Sequence, residues 1–153
     1  MSALTLSLAD ESAAAKLGER LAEVLAPGDL VLLFGDLGAG KTTLARAVIK
    51  ALTHEGEAPS PTYTLVQTYE AADGWPLAHA DLYRLEQEAE LDELGLDDTL
   101  EEGAVLVEWP DQAPSWRPDS RLEVHLSGGG DEARTVKICG FGRWEGRVDR
   151  LKP

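Results

Sequence analysis

The sequence of 153 residues contains no asparagine, one methionine and one cysteine, Cys139. A single cysteine excludes an intramolecular disulfide and argues against a cysteine-based zinc site. The longest purely apolar run, Leu30–Phe34, is far shorter than a membrane-spanning helix requires. Acidic side chains interrupt the first part of the chain, which lacks the apolar stretch of a signal peptide. We therefore expect a cytoplasmic protein that does not enter a membrane.

Basic side chains are also scarce. The 14 lysines and arginines stand against 28 aspartates and glutamates, which gives a net charge of −14. Because nucleic-acid affinity depends on basic contacts to phosphate, this balance argues against direct, tight binding to nucleic acid. Residues 141–153 differ, since they hold four basic side chains and two acidic ones. This basic tail either contacts an acidic partner or is a solvated, flexible end.

One segment, residues 35–42, fits the pattern G-x-x-x-x-G-K-[ST], the phosphate-binding loop of P-loop NTPases. It consists of Gly35, Asp36, Leu37, Gly38, Ala39, Gly40, Lys41 and Thr42. The glycines allow a tight backbone whose N–H groups point at one anion, and the dipole of the following helix adds positive potential. Lys41 can reach the β- and γ-phosphates, and the Thr42 hydroxyl can bind Mg²⁺.

The segments on either side suit this motif. Leu30–Phe34 is the continuous apolar run expected of a strand that is buried on both faces. After the loop, apolar residues recur at helical spacing, namely Leu44, Ala45, Val48, Ile49 and Leu52. Strand, loop and helix therefore follow one another in the order that the motif requires.

The rest of the chain predicts an α/β fold with a mixed sheet. Apolar patterns and short turns predict two antiparallel hairpins, one pairing residues 65–70 with 77–81 and the other pairing 122–126 with 136–138. The acidic residues 86–94 are predicted to form a helix with a solvated face. We expect a single domain over residues 1–153, a P-loop NTPase-like three-layer sandwich with a parallel core and antiparallel hairpins.

Hydrolysis of a nucleotide also needs a carboxylate near Mg²⁺ and a group that orients the attacking water. Asp81 and Glu108 each end an apolar strand-like segment. Ligands of open α/β sheets lie beyond the carboxyl ends of parallel strands, so both acids can lie beside the loop. One can help to hold Mg²⁺ and the other can polarise the water, and the sequence does not divide these roles. Thr62, after Pro61, is either a sensor of the γ-phosphate or part of an ordinary turn.

Four motifs together resemble the bacterial TsaE (YjeE) family of ATPases. They are residues 35–43, Ser60-Pro61-Thr62-Tyr63, His79-Ala80-Asp81-Leu82-Tyr83-Arg84 and Glu108-Trp109-Pro110, and they lie in the family's order between about residues 28 and 112. The family is required for the threonylcarbamoyl modification of adenosine next to the anticodon of certain tRNAs. The loop alone is unspecific, whereas the four motifs together are specific.

The resemblance implies a set of site residues. It implies that ATP binds at residues 35–43, including Thr43, that Mg²⁺ is held by Thr42 with Glu108, and that Asp81 is the Walker B-like acid. It further implies that Thr62 acts as a switch and that Trp109 lies close to the site. The implied partner is the TsaD–TsaB complex, which ATP hydrolysis would reset between turnovers, with no tight contact to tRNA by this chain itself.

Two other functions stay open from the sequence. One is a small-molecule or nucleotide kinase, although no arginine-rich lid segment is present to clamp a second phosphate. The other is a nucleotide-dependent binding module without catalysis. GTP is disfavoured, because a chain without asparagine cannot contain the base-reading Asn-Lys-x-Asp motif of GTPases.

Overall fold

The computed structural model describes residues 1–36, 40–53, 65–128 and 134–153. Its strands are β1 (Ser2–Leu8), β2 (Leu30–Phe34), β3 (Val66–Glu70), β4 (Pro76–Asp81), β5 (Ala104–Glu108), β6 (Arg121–Ser127) and β7 (Arg134–Phe141). Its α-helices are α1 (Glu11–Val24), α2 (Lys41–Thr53) and α3 (Leu96–Glu102). Short 3₁₀ helices cover Glu88–Leu94, Pro110–Gln112, Gly142–Trp144 and Val148–Leu151. No helix in these ranges is long and apolar enough to cross a membrane.

All seven strands form one mixed sheet in the order β1-β7-β6-β2-β5-β4-β3. The strand before the phosphate-binding loop, β2, lies between β5 and β6 and is parallel to both. β4 extends this parallel core, while β3–β4 and β6–β7 are antiparallel hairpins. The predicted fold class, a parallel core with two antiparallel hairpins, is therefore confirmed.

Both faces of the central strands are buried, which explains the uninterrupted apolar run of β2. On one face, Val31 and Leu33 pack in a core with residues of α1 and α2 such as Leu21 and Ile49. On the other face, alternate strand residues pack in a second core with residues after β4; this core includes Leu30, Leu32, Val105, Val107, Leu91 and Leu96. The two layers position the start of α2 against the end of β2, where the predicted site lies.

The acidic segment after β4 differs from its prediction as a helix over residues 86–94. The structure forms a 3₁₀ helix over Glu88–Leu94 and then α3, which the sequence did not predict. Gly95, at φ 69°, separates the two, and this left-handed conformation favours glycine. Because only Leu91 and Leu96 are buried in these two helices, the apolar periodicity is too weak to predict two elements.

The basic tail, residues 141–153, packs on the domain instead of forming a solvated end. Trp144, Val148 and Leu151 are buried in the same core as α1 and α2. Arg147 contacts the buried Asp29 with both terminal nitrogens, at 2.8 and 2.6 Å, and its guanidinium lies 3.9 Å from the Trp144 ring. At least one basic residue of the tail therefore has its acidic partner within the chain.

Candidate nucleotide-binding site

The phosphate-binding loop, residues 35–42, begins at the carboxyl end of β2 and ends within the first turn of α2. Gly35 has φ 149° and Gly40 has φ 101°, both in the region that disfavours side chains with a Cβ. Leu37, Gly38 and Ala39 lie outside the described residues. The described ends of the loop thus have the backbone conformations for which the motif's glycines are suited.

Lys41 is buried at the first turn of α2. Its ammonium donates hydrogen bonds to the carbonyl oxygens of Gly35 and of Asp36, the latter at 3.1 Å, and lies 3.6 Å from the centre of the Trp109 ring. Burial lowers the pKa of Lys41, and the negative charge of Glu108 opposes this shift. The lysine is therefore fixed between the loop backbone and an aromatic face, close to a carboxylate.

A hydrogen-bonded chain connects α2 to two strands. The Thr42 hydroxyl donates to Glu108 Oε1 at 2.6 Å, and His79 Nε2 lies 2.6 Å from Glu108 Oε2. Burial alone would raise the pKa of Glu108, but the hydrogen bonds and positive charge from His79, with those of Thr42 and Lys41, lower it overall. Glu108 is thus an ionised, almost fully buried carboxylate, so His79 is the donor in their hydrogen bond.

Asp81 lies beside Glu108, because the two residues are register partners at the ends of parallel strands. Its carboxylate accepts a hydrogen bond from the backbone N–H of Tyr83 at 3.0 Å. Burial raises the pKa of Asp81, and the neighbouring charge of Glu108 raises it further. The site therefore contains two adjacent carboxylates with different affinities for a proton.

Trp109 connects the loop to the rim of the site. It is the only non-glycine residue with a positive φ, 58°, among the described residues. Its ring packs on Lys41 on one side and lies 5.0 Å, centre to centre, from the half-exposed ring of Tyr83. This strained backbone costs on the order of 1–3 kcal/mol, which is consistent with a residue held in place for function.

These side chains line one open cleft of about 290 Å³. Its described lining residues are Asp36, Gly40, Lys41, Thr42, Thr43, Asp81, Tyr83, Glu108, Trp109 and Arg134. Every described residue that the sequence predicted for the site lines this cleft, with the exception of Gly35. Gly35 contacts the site through its carbonyl oxygen, which accepts a hydrogen bond from Lys41. Thr62, like Leu37, Gly38 and Ala39, lies outside the described residues, so its predicted switch role stays a prediction.

Comparison with known proteins gives the family. The family model "Threonylcarbamoyl adenosine biosynthesis protein TsaE" matches residues 8–136. The chain belongs to the TsaE family. This confirms the resemblance that the four motifs carry.

Relatives support the assignment over most of the chain. The tRNA threonylcarbamoyladenosine biosynthesis protein TsaE of Streptomyces coelicolor is 39% identical over 84% of this chain and 92% of its own length. The protein of the same name from Haemophilus influenzae is 36% identical over 90% of each chain. The crystal structure of Bacillus subtilis YdiB superposes with a TM-score of 0.79, at 30% identity, over 98% of this chain and 94% of that one. The TsaE fold therefore extends through the tail as well.

Sequence reasoning missed part of this TsaE site. It did not find the contact between His79 and Glu108, although the spacing from Asp81 places His79 on the same face of β4. It named Tyr83 but not its contact with Trp109, and it did not consider Arg134. No local pattern marks Arg134, because its place at the cleft depends on the antiparallel return of β7.

The contact between His79 and Glu108 leads to a prediction about stability. In His79→Leu, the buried Glu108 carboxylate loses a charge-assisted hydrogen bond, and we expect the free energy of unfolding to fall by about 2 kcal/mol. Urea denaturation measures this loss. Adding Glu108→Gln should remove much of the penalty, because no buried charge is then left without its partner. Equal stability of His79→Leu and the parent protein would show that the hydrogen bond contributes nothing.

Proposed function

We propose that this TsaE family member is a Mg²⁺-dependent ATPase that acts in the threonylcarbamoyladenosine modification of tRNA, together with the TsaD–TsaB complex. The observation that carries the proposal is the hydrogen bond of 2.6 Å between Thr42 and Glu108, beside Lys41. It joins a hydroxyl of the phosphate-binding motif to an ionised acid at a strand end. The names of the relatives support the pathway, and the alternatives of a kinase and a non-catalytic module are outcomes of the test below.

The positive groups of the cleft suit the polyphosphate of ATP. Lys41 supplies a full positive charge, and the start of α2 supplies the positive end of a helix dipole. Burial makes these charges interact more strongly with phosphate than they would in water. In this proposal, Lys41 exchanges its carbonyl partners for phosphate oxygens and neutralises the charge that develops during cleavage.

The donor atoms also fit Mg²⁺, which prefers oxygen ligands and retains several waters. Thr42 and Glu108 would hold it, and Asp81 is near enough to Glu108 to contribute. No group of three or more His, Cys, Asp or Glu side chains with metal-binding geometry occurs within the described ranges. That is consistent with an ion that takes its remaining ligands from phosphate and water. When bound, Mg²⁺ would neutralise phosphate charge.

In this proposal, the two carboxylates have different roles, one at the metal and one at the attacking water. Glu108 is ionised and fixed by two hydrogen bonds, which suits a permanent negative charge next to a metal. Asp81 has a raised pKa and lines the open cleft, which suits a group that accepts a hydrogen bond from the attacking water. The water oxygen then bonds to the γ-phosphorus while the bond to the β–γ bridging oxygen breaks, releasing ADP and phosphate.

The charge balance supports action through a protein partner instead of direct contact with tRNA. The chain carries a net charge of −14, and Arg147 of the basic tail is already paired with Asp29. The remaining basic side chains are outnumbered about two to one by acidic ones, which repel the phosphates that an RNA-binding protein must contact. An acidic surface is, however, complementary to a basic protein surface. The TsaD–TsaB complex is the partner that we propose for this surface.

The test measures phosphate release from ATP by the protein alone and with purified TsaD and TsaB. We expect slow release alone and faster release with the partners, in each case dependent on Mg²⁺. Phosphorylation of an added small molecule would instead support a kinase, and ATP-dependent association without phosphate release would support a binding module. In parallel, labelled tRNA should not bind the isolated protein at physiological salt, and tight binding there would contradict the partner-mediated role.

A further inference from the structure

His79 is a fully buried histidine in the middle of β4. Its register partner on β5 is Leu106, which belongs, like Leu77 two residues earlier on β4, to the core on the side of α1 and α2. Glu108 and Thr42 line the nucleotide cleft, whereas His79 is not among the described lining residues. His79 therefore lies behind Glu108 and can act on a ligand only through it.

The imidazole of His79 has a single hydrogen-bonding contact among the described residues. Its Nε2 lies 2.6 Å from Glu108 Oε2, while its Nδ1 is shielded from solvent and has no hydrogen-bond partner in those ranges. Replacing both members of a buried, charged pair by apolar side chains of similar volume is often neutral for stability or even favourable. Since the neighbours Leu77 and Leu106 are apolar, stability alone does not require a polar pair here. The effect of His79 on Glu108 explains its presence better than packing does.

The two oxygens of the Glu108 carboxylate are held by different residues. Oε1 accepts a hydrogen bond from the Thr42 hydroxyl, and Oε2 accepts one from His79, each at 2.6 Å. In the proposed function, Thr42 is also a ligand of Mg²⁺, so its hydroxyl is then shared between the ion and Glu108. His79 has no such second role, because it lies behind the cleft. The orientation of the carboxylate therefore depends chiefly on His79 once the ion is bound.

We propose that His79 is a positioning residue that keeps Glu108 oriented toward Mg²⁺ and thereby sets the affinity of the site for the metal. This inference rests on the proposed function, in which Thr42 and Glu108 hold the ion. A hydrogen bond from a neighbouring residue fixes the direction of a metal-binding side chain, and losing such a partner typically costs about 10- to 100-fold in metal affinity. Within the described residues, His79 has no hydrogen bond to Lys41 or to the loop, so the binding of the phosphates should not depend on it.

The experiment measures the factor by which Mg²⁺ strengthens nucleotide binding. Calorimetric titration gives the affinity for the non-hydrolysable analogue AMP-PNP with saturating Mg²⁺ and with EDTA, and the ratio of the two affinities is the Mg²⁺ factor. We expect His79→Leu to lower this factor by about tenfold and to leave the affinity in EDTA within about threefold of the parent. The matched control is His125→Leu, which breaks a contact of 3.0 Å between a histidine and Glu123 outside the described lining of the cleft. It should change neither value.

A conservative variant separates the hydrogen bond from the packing of the ring. In His79→Gln, the side-chain amide can still donate to Glu108, so we expect the Mg²⁺ factor to return to within about threefold of the parent. A His79→Gln variant no better than His79→Leu would overturn the inference, and so would equal losses of affinity in EDTA and in Mg²⁺. If His79→Leu does not fold, His79→Asn takes its place, because its shorter side chain ends short of Glu108.

The parent protein distinguishes this inference from the proposed function. If the parent does not bind AMP-PNP, or binds it equally well with Mg²⁺ and with EDTA, the proposed function fails as a whole. If the parent shows the Mg²⁺ factor and folded His79→Leu shows the same factor, only the role of His79 is refuted.

Discussion

Replacing Lys41 by alanine should reduce ATP hydrolysis by at least about a hundredfold while the protein remains folded. Lys41 is the only lysine among the described lining residues of the cleft, and its ammonium is held against the loop backbone and the Trp109 ring. An electrostatic contact of this kind is strongest in a dry site and acts mainly on the charge that develops as the phosphate bond breaks. The variant removes that charge and leaves the backbone N–H groups in place.

The matched control for this prediction is Lys50→Ala. Lys50 is exposed in the last turn of the same helix, so its loss changes the net charge equally without touching the cleft. Phosphate release measured with saturating ATP, together with circular dichroism of both variants, separates loss of activity from loss of fold. A folded Lys41→Ala variant with near-parental turnover would refute the assignment of the cleft as the hydrolytic site.

Replacing Glu108 by glutamine should preserve nucleotide binding within about threefold and lower hydrolysis by about a hundredfold or more. The amide has nearly the same shape as the carboxylate. Its oxygen can still accept from the Thr42 hydroxyl, and its NH₂ can donate to His79 Nε2 once the imidazole is neutral with its proton on Nδ1. The fold and the cleft therefore persist, while the negative charge beside the proposed metal position is lost.

The control for Glu108→Gln is Glu102→Gln, which makes the same chemical change at an exposed position. Titration with ADP gives the affinity, and single-turnover phosphate release gives the rate of the chemical step. We expect only Glu108→Gln to separate the two measurements. If neither affinity nor rate changes, Glu108 is a buried structural carboxylate, and Asp81 must then carry the catalytic role alone.

Much of the fold was predictable because its elements follow local rules. The strand before the loop, the helix after it and both hairpins are marked by apolar periodicity and by turn residues. Asp81 and Glu108 were each predicted to lie beside the loop from a general property of parallel strands, and the structure adds that the two residues are register partners. α3 was not predicted, because little of that segment is buried.

The details of the site depended on contacts between distant parts of the chain. His79 and Glu108 belong to two different strands, so no local pattern predicts that their buried side chains form a hydrogen bond. The pairing of Arg147 with Asp29 has the same character, since each residue alone resembles an ordinary surface charge. Arg134 lies at the cleft because β7 pairs antiparallel with β6. Such partners become visible only when the order of strands in the sheet is known.

The position of β2 has a consequence for how the protein is made. Leu30 pairs with Val105, and Val31 pairs with Leu122, so both neighbours of β2 are synthesised long after it. A nascent chain that already contains the whole phosphate-binding motif has neither strand against which β2 can pair, and large loops must close before it can. Nucleotide binding should therefore arise only when most of the chain has left the ribosome, and stalled chains of increasing length, probed with labelled ADP, would show where along the sequence it begins.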